Sequence, residues 1–119
     1  MAKIGQFISD PKAGAYCRIT FDSGDKIVVN HDKGGFKGGW LIIERLKLMG
    51  FSSERLFGCD LDSEAGKAAL DFLTRDAPPK TLDATPLGAF VKYLTTCQSI
   101  AEVKARCDAL MALHRPTDT

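Results

Sequence analysis

Residues 33–40 form the segment whose composition most strongly suggests ligand binding. Lys33 and Lys37 stand among glycines there, and Phe36 and Trp40 are interleaved with them. Glycine lets backbone amides approach an anion closely, lysine adds positive charge, and aromatic rings can stack on nucleobases. The segment does not match a P-loop, because no Ser or Thr follows a lysine in the required frame. The alternatives are binding of phosphate or single-stranded nucleic acid through Lys33, Phe36, Lys37 and Trp40, or a plain connector.

His31, Asp32 and Cys17 are the residues from which a nucleophilic site could be assembled. A thiol, an imidazole and a carboxylate can act as nucleophile, base and orienting group when they lie within hydrogen-bonding distance. The expected hairpin register places Cys17 beside Asn30 and His31 beside Tyr16, which puts the thiol and the imidazole on opposite faces of the sheet. This arrangement favours a buried thiol and a partly exposed histidine at a strand end.

Asp60, Asp62 and Glu64 bring three carboxylates together where a strand gives way to a helix. Carboxylate oxygens suit Mg²⁺ and Ca²⁺, but acidic residues at a helix start also interact favourably with its positive end without any metal. We therefore expect no metal site and no cofactor. An enzyme remains an alternative, and it would use His31 with Asp32 or Asp60 with Asp62.

Composition and charge narrow the class of protein. The 119 residues are 45% hydrophobic and 26% charged with a formal net charge of +1, which is typical of a folded protein without a strong attraction for nucleic acid or membranes. No apolar run is long enough for a signal peptide or a membrane span, so we expect a cytoplasmic protein with no membrane partner. The cysteines form no Cys-x-x-Cys pair and are expected to be reduced and buried: Cys17, Cys59, Cys97 and Cys107.

Alternation and turn chemistry predict antiparallel strands in the first half of the chain. Residues 15–21 alternate apolar and polar side chains, and residues 26–30 are rich in β-branched side chains. The short polar segment 22–25 contains a glycine and predicts a tight hairpin between them. Further strands are predicted at residues 4–8 and 57–61.

Residues 40–49 fit two descriptions. As a strand, Trp40, Ile42 and Leu46 share one face, which Glu44 interrupts; as a helix, the apolar residues form a stripe that ends at a glycine. We favour the strand, because it would extend the sheet.

The second half changes to helical periodicity, with a capping residue before each apolar stripe. Asp62 or Ser63 can cap a first helix that ends before a Pro-Pro pair. Thr85 is followed by proline at the first helical position of a second helix. Ser99 lies three residues before a glutamate, as in a capping box, and opens a third helix that ends before Pro116.

These elements predict an α+β fold in one domain spanning residues 1–119, β-rich over 1–61 and α-rich over 62–115. Its N-terminal, mainly antiparallel sheet of three to five strands is followed by three helices packed on one face.

The other face of the sheet is expected to expose Tyr16, Val28, Leu41 and Ile43, and an exposed apolar face favours a homodimer. The leading hypothesis is therefore a non-enzymatic binding module that self-associates. The alternative from another class is a nucleic-acid binder that adds Arg18 to the glycine-rich loop.

Overall fold

The computed structural model describes residues 2–12, 14–33, 38–47 and 53–114. An antiparallel sheet is followed by three helices, which confirms the predicted α+β class. The strands are β1 (Lys3–Ile4), β2 (Ile8–Asp10), β3 (Gly14–Thr20), β4 (Lys26–His31), β5 (Trp40–Leu46) and β6 (Ser53–Asp60). The helices are α1 (Glu64–Thr74), α2 (Pro86–Leu94) and α3 (Ile100–Ala112), with a short 3₁₀ helix at Leu82–Ala84 before α2.

The described sheet has six strands, one more than the largest number expected. The strand predicted at residues 4–8 is divided into β1 and β2, which pair with opposite ends of β3. Lys3 lies opposite Thr20 and Ile8 lies opposite Tyr16. From β3 the sheet continues through β4 and β5 to β6, with each neighbour antiparallel.

The hairpin between β3 and β4 closes with a three-residue loop. The Phe21 amide donates to the Asp25 carbonyl at 2.9 Å, and the Gly24 amide donates to the Phe21 carbonyl at 2.9 Å. Gly24 has a φ of +92°, which glycine adopts without the steric cost that other residues meet. A three-residue loop that ends in a left-handed glycine fixes a different register from a two-residue loop. Cys17 therefore lies opposite Val29.

This register corrects the pairing expected from the sequence. Cys17 does not pair with Asn30, and His31 lies opposite Ala15 rather than Tyr16. Because side chains alternate along a strand, the one-residue difference moves His31 to the face that Cys17 occupies. His31 is fully buried, so the prediction of a partly exposed histidine is wrong.

The segment predicted over residues 40–49 forms a strand, as favoured, and its residues 48 and 49 lie outside the described residues. The prediction that Leu41 and Ile43 are exposed is wrong, because their side chains are 2% and 0% exposed. The β4–β5 register places them opposite His31 and Val29, on the face that the helices cover. The side chains of Leu41 and Ile43 therefore point towards the helices.

A β-bulge interrupts the pairing of β5 with β6. Ile43 lies opposite Phe57 and Glu44 lies opposite Arg55, so Leu56 is an extra residue on β6. In the described part of the chain β6 is the last strand at this side of the sheet. Bulges bend and twist the strand that carries them.

The three predicted caps are confirmed. Each capping hydroxyl accepts a hydrogen bond from a backbone amide of the first helical turn, which satisfies a donor that the helix itself leaves unpaired. These bonds run from Gly66 N to Ser63 Oγ at 3.0 Å, from Gly88 N to Thr85 Oγ1 at 3.1 Å and from Glu102 N to Ser99 Oγ at 3.2 Å.

The helices cover one face of the sheet and form the core with it. Phe90 of α2 is fully buried, and its ring centroid lies 5.7 Å from that of Phe57 on β6. The strands contribute the apolar half of their alternating residues, including Ile19, Ile27 and Val29, all at 0% exposure. No helix in the described ranges has both the length and the apolar character needed to span a bilayer.

Two helical glycines allow close approach to neighbouring backbone. A Cβ atom at Gly66 would collide with the Asp60 carbonyl oxygen, and one at Gly88 would collide with the Leu82 carbonyl oxygen. Gly66 thus lets α1 start directly against the end of β6. Gly88 lets α2 start against the 3₁₀ helix.

Gly66→Ala is expected to lower the free energy of unfolding by about 1–3 kcal/mol, because the added methyl group must displace the Asp60 carbonyl. Helix propensity alone would give the opposite sign, since alanine exceeds glycine by about 1 kcal/mol in a helix. Urea denaturation measures the change. The control is Ala105→Gly on the exposed side of α3, which should destabilise through propensity alone. A stabilised Gly66→Ala variant would contradict the close contact.

All four cysteines are free and buried, as predicted. Burial raises the pKa of each thiol, and for Cys107 it raises the pKa to about 12. The reactive species of cysteine is the thiolate, so these groups are both inaccessible and protonated in the folded chain.

Ellman's reagent at about pH 8 should therefore react slowly with the native protein and rapidly with all four thiols in denaturant. The Cys107 thiol ionises near 9.0 in the unfolded chain and near 12 in the folded one. Its contribution to stability is therefore complete below pH 9.0 and is lost as pH rises towards 12. One rapidly reacting thiol in the native protein would contradict this burial.

Candidate functional site

The connection between β4 and β5 carries the ligand-binding residues predicted from the sequence. Lys33 and Trp40 are exposed at its two ends, and the Trp40 side chain is 43% exposed. Phe36 and Lys37 lie outside the described residues. Gly39 has a φ of +82°, and a Cβ atom there would lie 2.7 Å from Lys33 Cγ. The glycine thus gives room for the lysine stem at the end of the sheet.

Three of the residues considered for catalysis, His31, Asp32 and Asp62, contact the backbone of this connection. His31 Nε2 lies 2.8 Å from the Gly38 carbonyl oxygen, which can only accept a hydrogen bond. The Trp40 amide donates to Asp32 Oδ1 at 2.8 Å. The Gly39 amide donates to Asp62 Oδ2 at 3.4 Å. These contacts hold the two ends of the loop together.

The carboxylates at the end of β6 make local contacts with the backbone. Asp60 Oδ1 accepts a hydrogen bond from the Asp62 amide at 2.9 Å, a turn interaction at the start of α1. His31 lines an apolar cavity of about 210 Å³, but Asp32, Asp60 and Asp62 do not line it. Across the described residues, no three His, Cys, Asp or Glu side chains are arranged to hold a metal ion.

Cys17 and His31 share the buried face, yet their surroundings do not activate the thiol. Cys17 Sγ donates to the Gly5 carbonyl at 3.3 Å. Burial raises the Cys17 pKa, and the Gly5 hydrogen bond lowers it by a smaller amount. The two side chains also occupy different cross-strand pairs, opposite Val29 and Ala15. The thiol therefore stays protonated within the core.

The uncovered face of the sheet carries an apolar row that crosses it from edge to edge. The pairing aligns Ile8, Tyr16, Asn30, Ile42 and Gly58 on five strands. Ile8, at one end of this row, is 41% exposed and also lines the cavity beside His31, together with residues at the start of α2. Tyr16 was predicted on this face, whereas Ile8 was not, and Ile42 was grouped with Trp40 on one strand face without being assigned to the uncovered side.

Trp40 lies at the other end of the apolar row. A Cβ atom at Gly58 would lie 3.7 Å from Trp40 Cε3 and 3.9 Å from Arg55 Cδ, so the indole and the arginine stem both pack at this glycine. Glycine at position 58 therefore leaves room for an aromatic ring on the sheet surface. Below, the term apolar row refers to five residues: Ile8, Tyr16, Asn30, Ile42 and Trp40.

Asn30 adds an unusual polar group to the apolar row. Its Oδ1 atom is shielded from solvent and accepts no hydrogen bond from the described residues. A buried acceptor without a donor is unfavourable by about 1–3 kcal/mol.

The next row on the same face carries three charged residues and one valine. Arg18, Val28, Glu44 and Arg55 lie in register across four strands. Glu44 also accepts a hydrogen bond from Ser53 Oγ at 2.6 Å. The face therefore presents both signs of charge beside its apolar row.

Comparison with known proteins gives no relative from which a role could be transferred. No protein-family model matches the chain, and no curated protein or solved structure is significantly similar to it. The candidate site is therefore defined by the chemistry of these residues alone.

Proposed function

We propose that this chain is a non-enzymatic interaction module that forms a homodimer through the uncovered face of its sheet. The apolar row supports this proposal, because large exposed side chains at both of its ends, Ile8 and Trp40, extend one continuous surface. Large apolar surfaces of this kind on soluble proteins commonly mark interaction sites.

The uncovered face alone is smaller than the area that a stable interface buries on each partner, so a dimer contact would extend beyond it. Five strand positions about 4.8 Å apart and strands of about seven residues give a face of roughly 550 Å² in projection. A stable interface buries about 800 Å² on each partner. The dimer would therefore use the whole face together with neighbouring surface, for which the exposed Lys33 at the β4–β5 connection is well placed.

The charges on the face suit a second copy of the chain. A two-fold interface brings the same surface of both subunits together, so it must be complementary to itself. Arg18 and Arg55 can pair with Glu44 of a second copy, whereas a face with a single sign of charge would repel itself.

Ile42→Lys tests the dimer, because it places a charge in the middle of the apolar row without disturbing the core. We expect a wild-type dimer at concentrations on the order of 10 µM, and we expect the variant's dimer dissociation constant to rise by a factor of about 30 or more. Light scattering after size exclusion measures the mass. Leu82→Lys, at an exposed position on the helical side, is the matched control and should remain dimeric. A wild-type monomer at this concentration would refute the proposal.

Single-stranded nucleic acid binding is the second candidate, and the exposed Trp40 beside Arg55 favours it. Aromatic rings on a sheet can stack on bases while arginine and lysine contact phosphates. Glu44 and Asp60 on the same face weaken this reading, since they reduce the positive potential there.

This candidate predicts oligonucleotide binding that weakens about tenfold or more between roughly 50 and 200 mM salt. Trp40→Ala should lower the affinity by about tenfold through lost stacking, and Lys33→Ala with Lys37→Ala should reduce the salt dependence. Fluorescence anisotropy of a labelled single strand provides the measurement, with Lys104→Ala on α3 as the control. Binding that is absent or insensitive to salt would exclude this function.

A further inference from the structure

A cleft on the helical side of the molecule has features of a small-molecule site. It has a volume of about 350 Å³ and lies between the end of α1, the 3₁₀ helix, α2 and Arg106 of α3. Clefts that bind small molecules commonly have volumes of about 300–1,000 Å³. The cleft shares no residue with the uncovered sheet face, so its function is independent of dimerisation.

Two aromatic rings form one wall of the cleft. Phe72 of α1 and Tyr93 of α2 have centroids 6.3 Å apart and planes at 90°. Phe72 is 41% exposed, although other apolar residues of α1 pack in the core. The Arg75 guanidinium carbon lies 5.9 Å from the Phe72 centroid and covers one face of that ring, so a third ring would pack against the remaining aromatic surface of the pair.

Arg106 is held rigidly at this wall by neutral acceptors. Its Nη1 donates to the Tyr93 carbonyl at 2.8 Å and its Nη2 donates to Thr96 Oγ1 at 2.9 Å. The Tyr93 hydroxyl donates in return to the Arg106 carbonyl at 3.0 Å. The guanidinium carbon lies 5.3 Å from the Tyr93 ring centroid. Within the described ranges no carboxylate forms an ion pair with Arg106, so a positioned positive charge is left without a negative partner.

Negatively charged side chains line the cleft on the side formed by α1 and the 3₁₀ helix. Asp76 makes no hydrogen bond or ion pair with the described residues, and Asp83 pairs with Lys92 at 3.2 Å. A purely anionic ligand would meet repulsion from Asp76, and a purely cationic one would meet repulsion from Arg106. A ligand that carries both charges can satisfy both groups.

We propose that this cleft binds an α-amino acid with an aromatic side chain. The side chain packs against Phe72 and Tyr93. The carboxylate contacts Arg106, with Lys92 nearby, and the ammonium group contacts Asp76. The assignment rests on the aromatic wall, the fixed arginine and the unpaired aspartate in one cavity.

The probe for this site is L-phenylalanine, titrated into the ¹⁵N-labelled full chain and followed by amide chemical shifts. We expect saturable shifts at Phe72, Tyr93 and Arg106. Phenethylamine lacks the carboxylate, 3-phenylpropionate lacks the ammonium group and L-alanine lacks the ring, so each should bind at least about tenfold more weakly. Equal binding of 3-phenylpropionate would overturn the amino-acid assignment, and absence of saturable shifts up to about 10 mM would overturn the site.

Two exposed substitutions test the contacts without unfolding the chain. Asp76→Asn removes the partner of the ammonium group and Phe72→Ala removes one ring, and each should weaken L-phenylalanine binding by about tenfold. Lys104→Gln on the exposed side of α3 is the control and should bind as the wild type does. Unchanged binding by Asp76→Asn would refute the proposed ligand. Ile42→Lys should bind L-phenylalanine normally even if it no longer dimerises, which separates this inference from the proposed function.

Discussion

The three-residue loop that closes the first hairpin determines which side chains of the sheet meet the helices. Gly24 ends this loop with a positive φ, and the Phe21 and Asp25 backbone groups pair across it. Because alternation has a period of two, a shift of one residue would exchange the two faces of β4 relative to β3. The β4–β5 and β5–β6 pairings then carry the assignment of faces across the sheet. The burial of His31 on the face that Cys17 occupies follows from this turn.

Local features of the fold could be predicted because their causes lie within a few residues. The hairpin's location and the caps at Ser63, Thr85 and Ser99 depend on short-range hydrogen bonding and on backbone preference. The loop length was less evident, since two- and three-residue loops accept similar polar residues, and the register of His31 was misjudged for that reason. The burial of Leu41 and Ile43 depends on pairing with β4, which no local pattern specifies.

Histidine and aspartate residues that lie close together can serve the structure of a loop through their hydrogen bonds. His31, Asp32 and Asp62 do come together, but their polar atoms bind the backbone at Gly38, Gly39 and Trp40. Such contacts satisfy backbone groups at the end of the glycine-rich segment. Lys33 and Trp40, predicted as ligand-binding residues, are exposed at the ends of this segment. The cleft around Arg106 depends on packing between three helices and had no sequence motif.

The bulge at Leu56 bears on how copies of this chain can meet. A regular strand at the side of a sheet offers a row of unpaired amides and carbonyls to any other strand, and repeated addition leads to fibres. On β6 the extra residue breaks that repeat, and the charged pair Glu54 and Arg55 lies immediately before it. Both features discourage growth of the sheet by strand addition at this side. In the proposed dimer, contact through the sheet face would instead close after two copies, so that assembly would have a natural end.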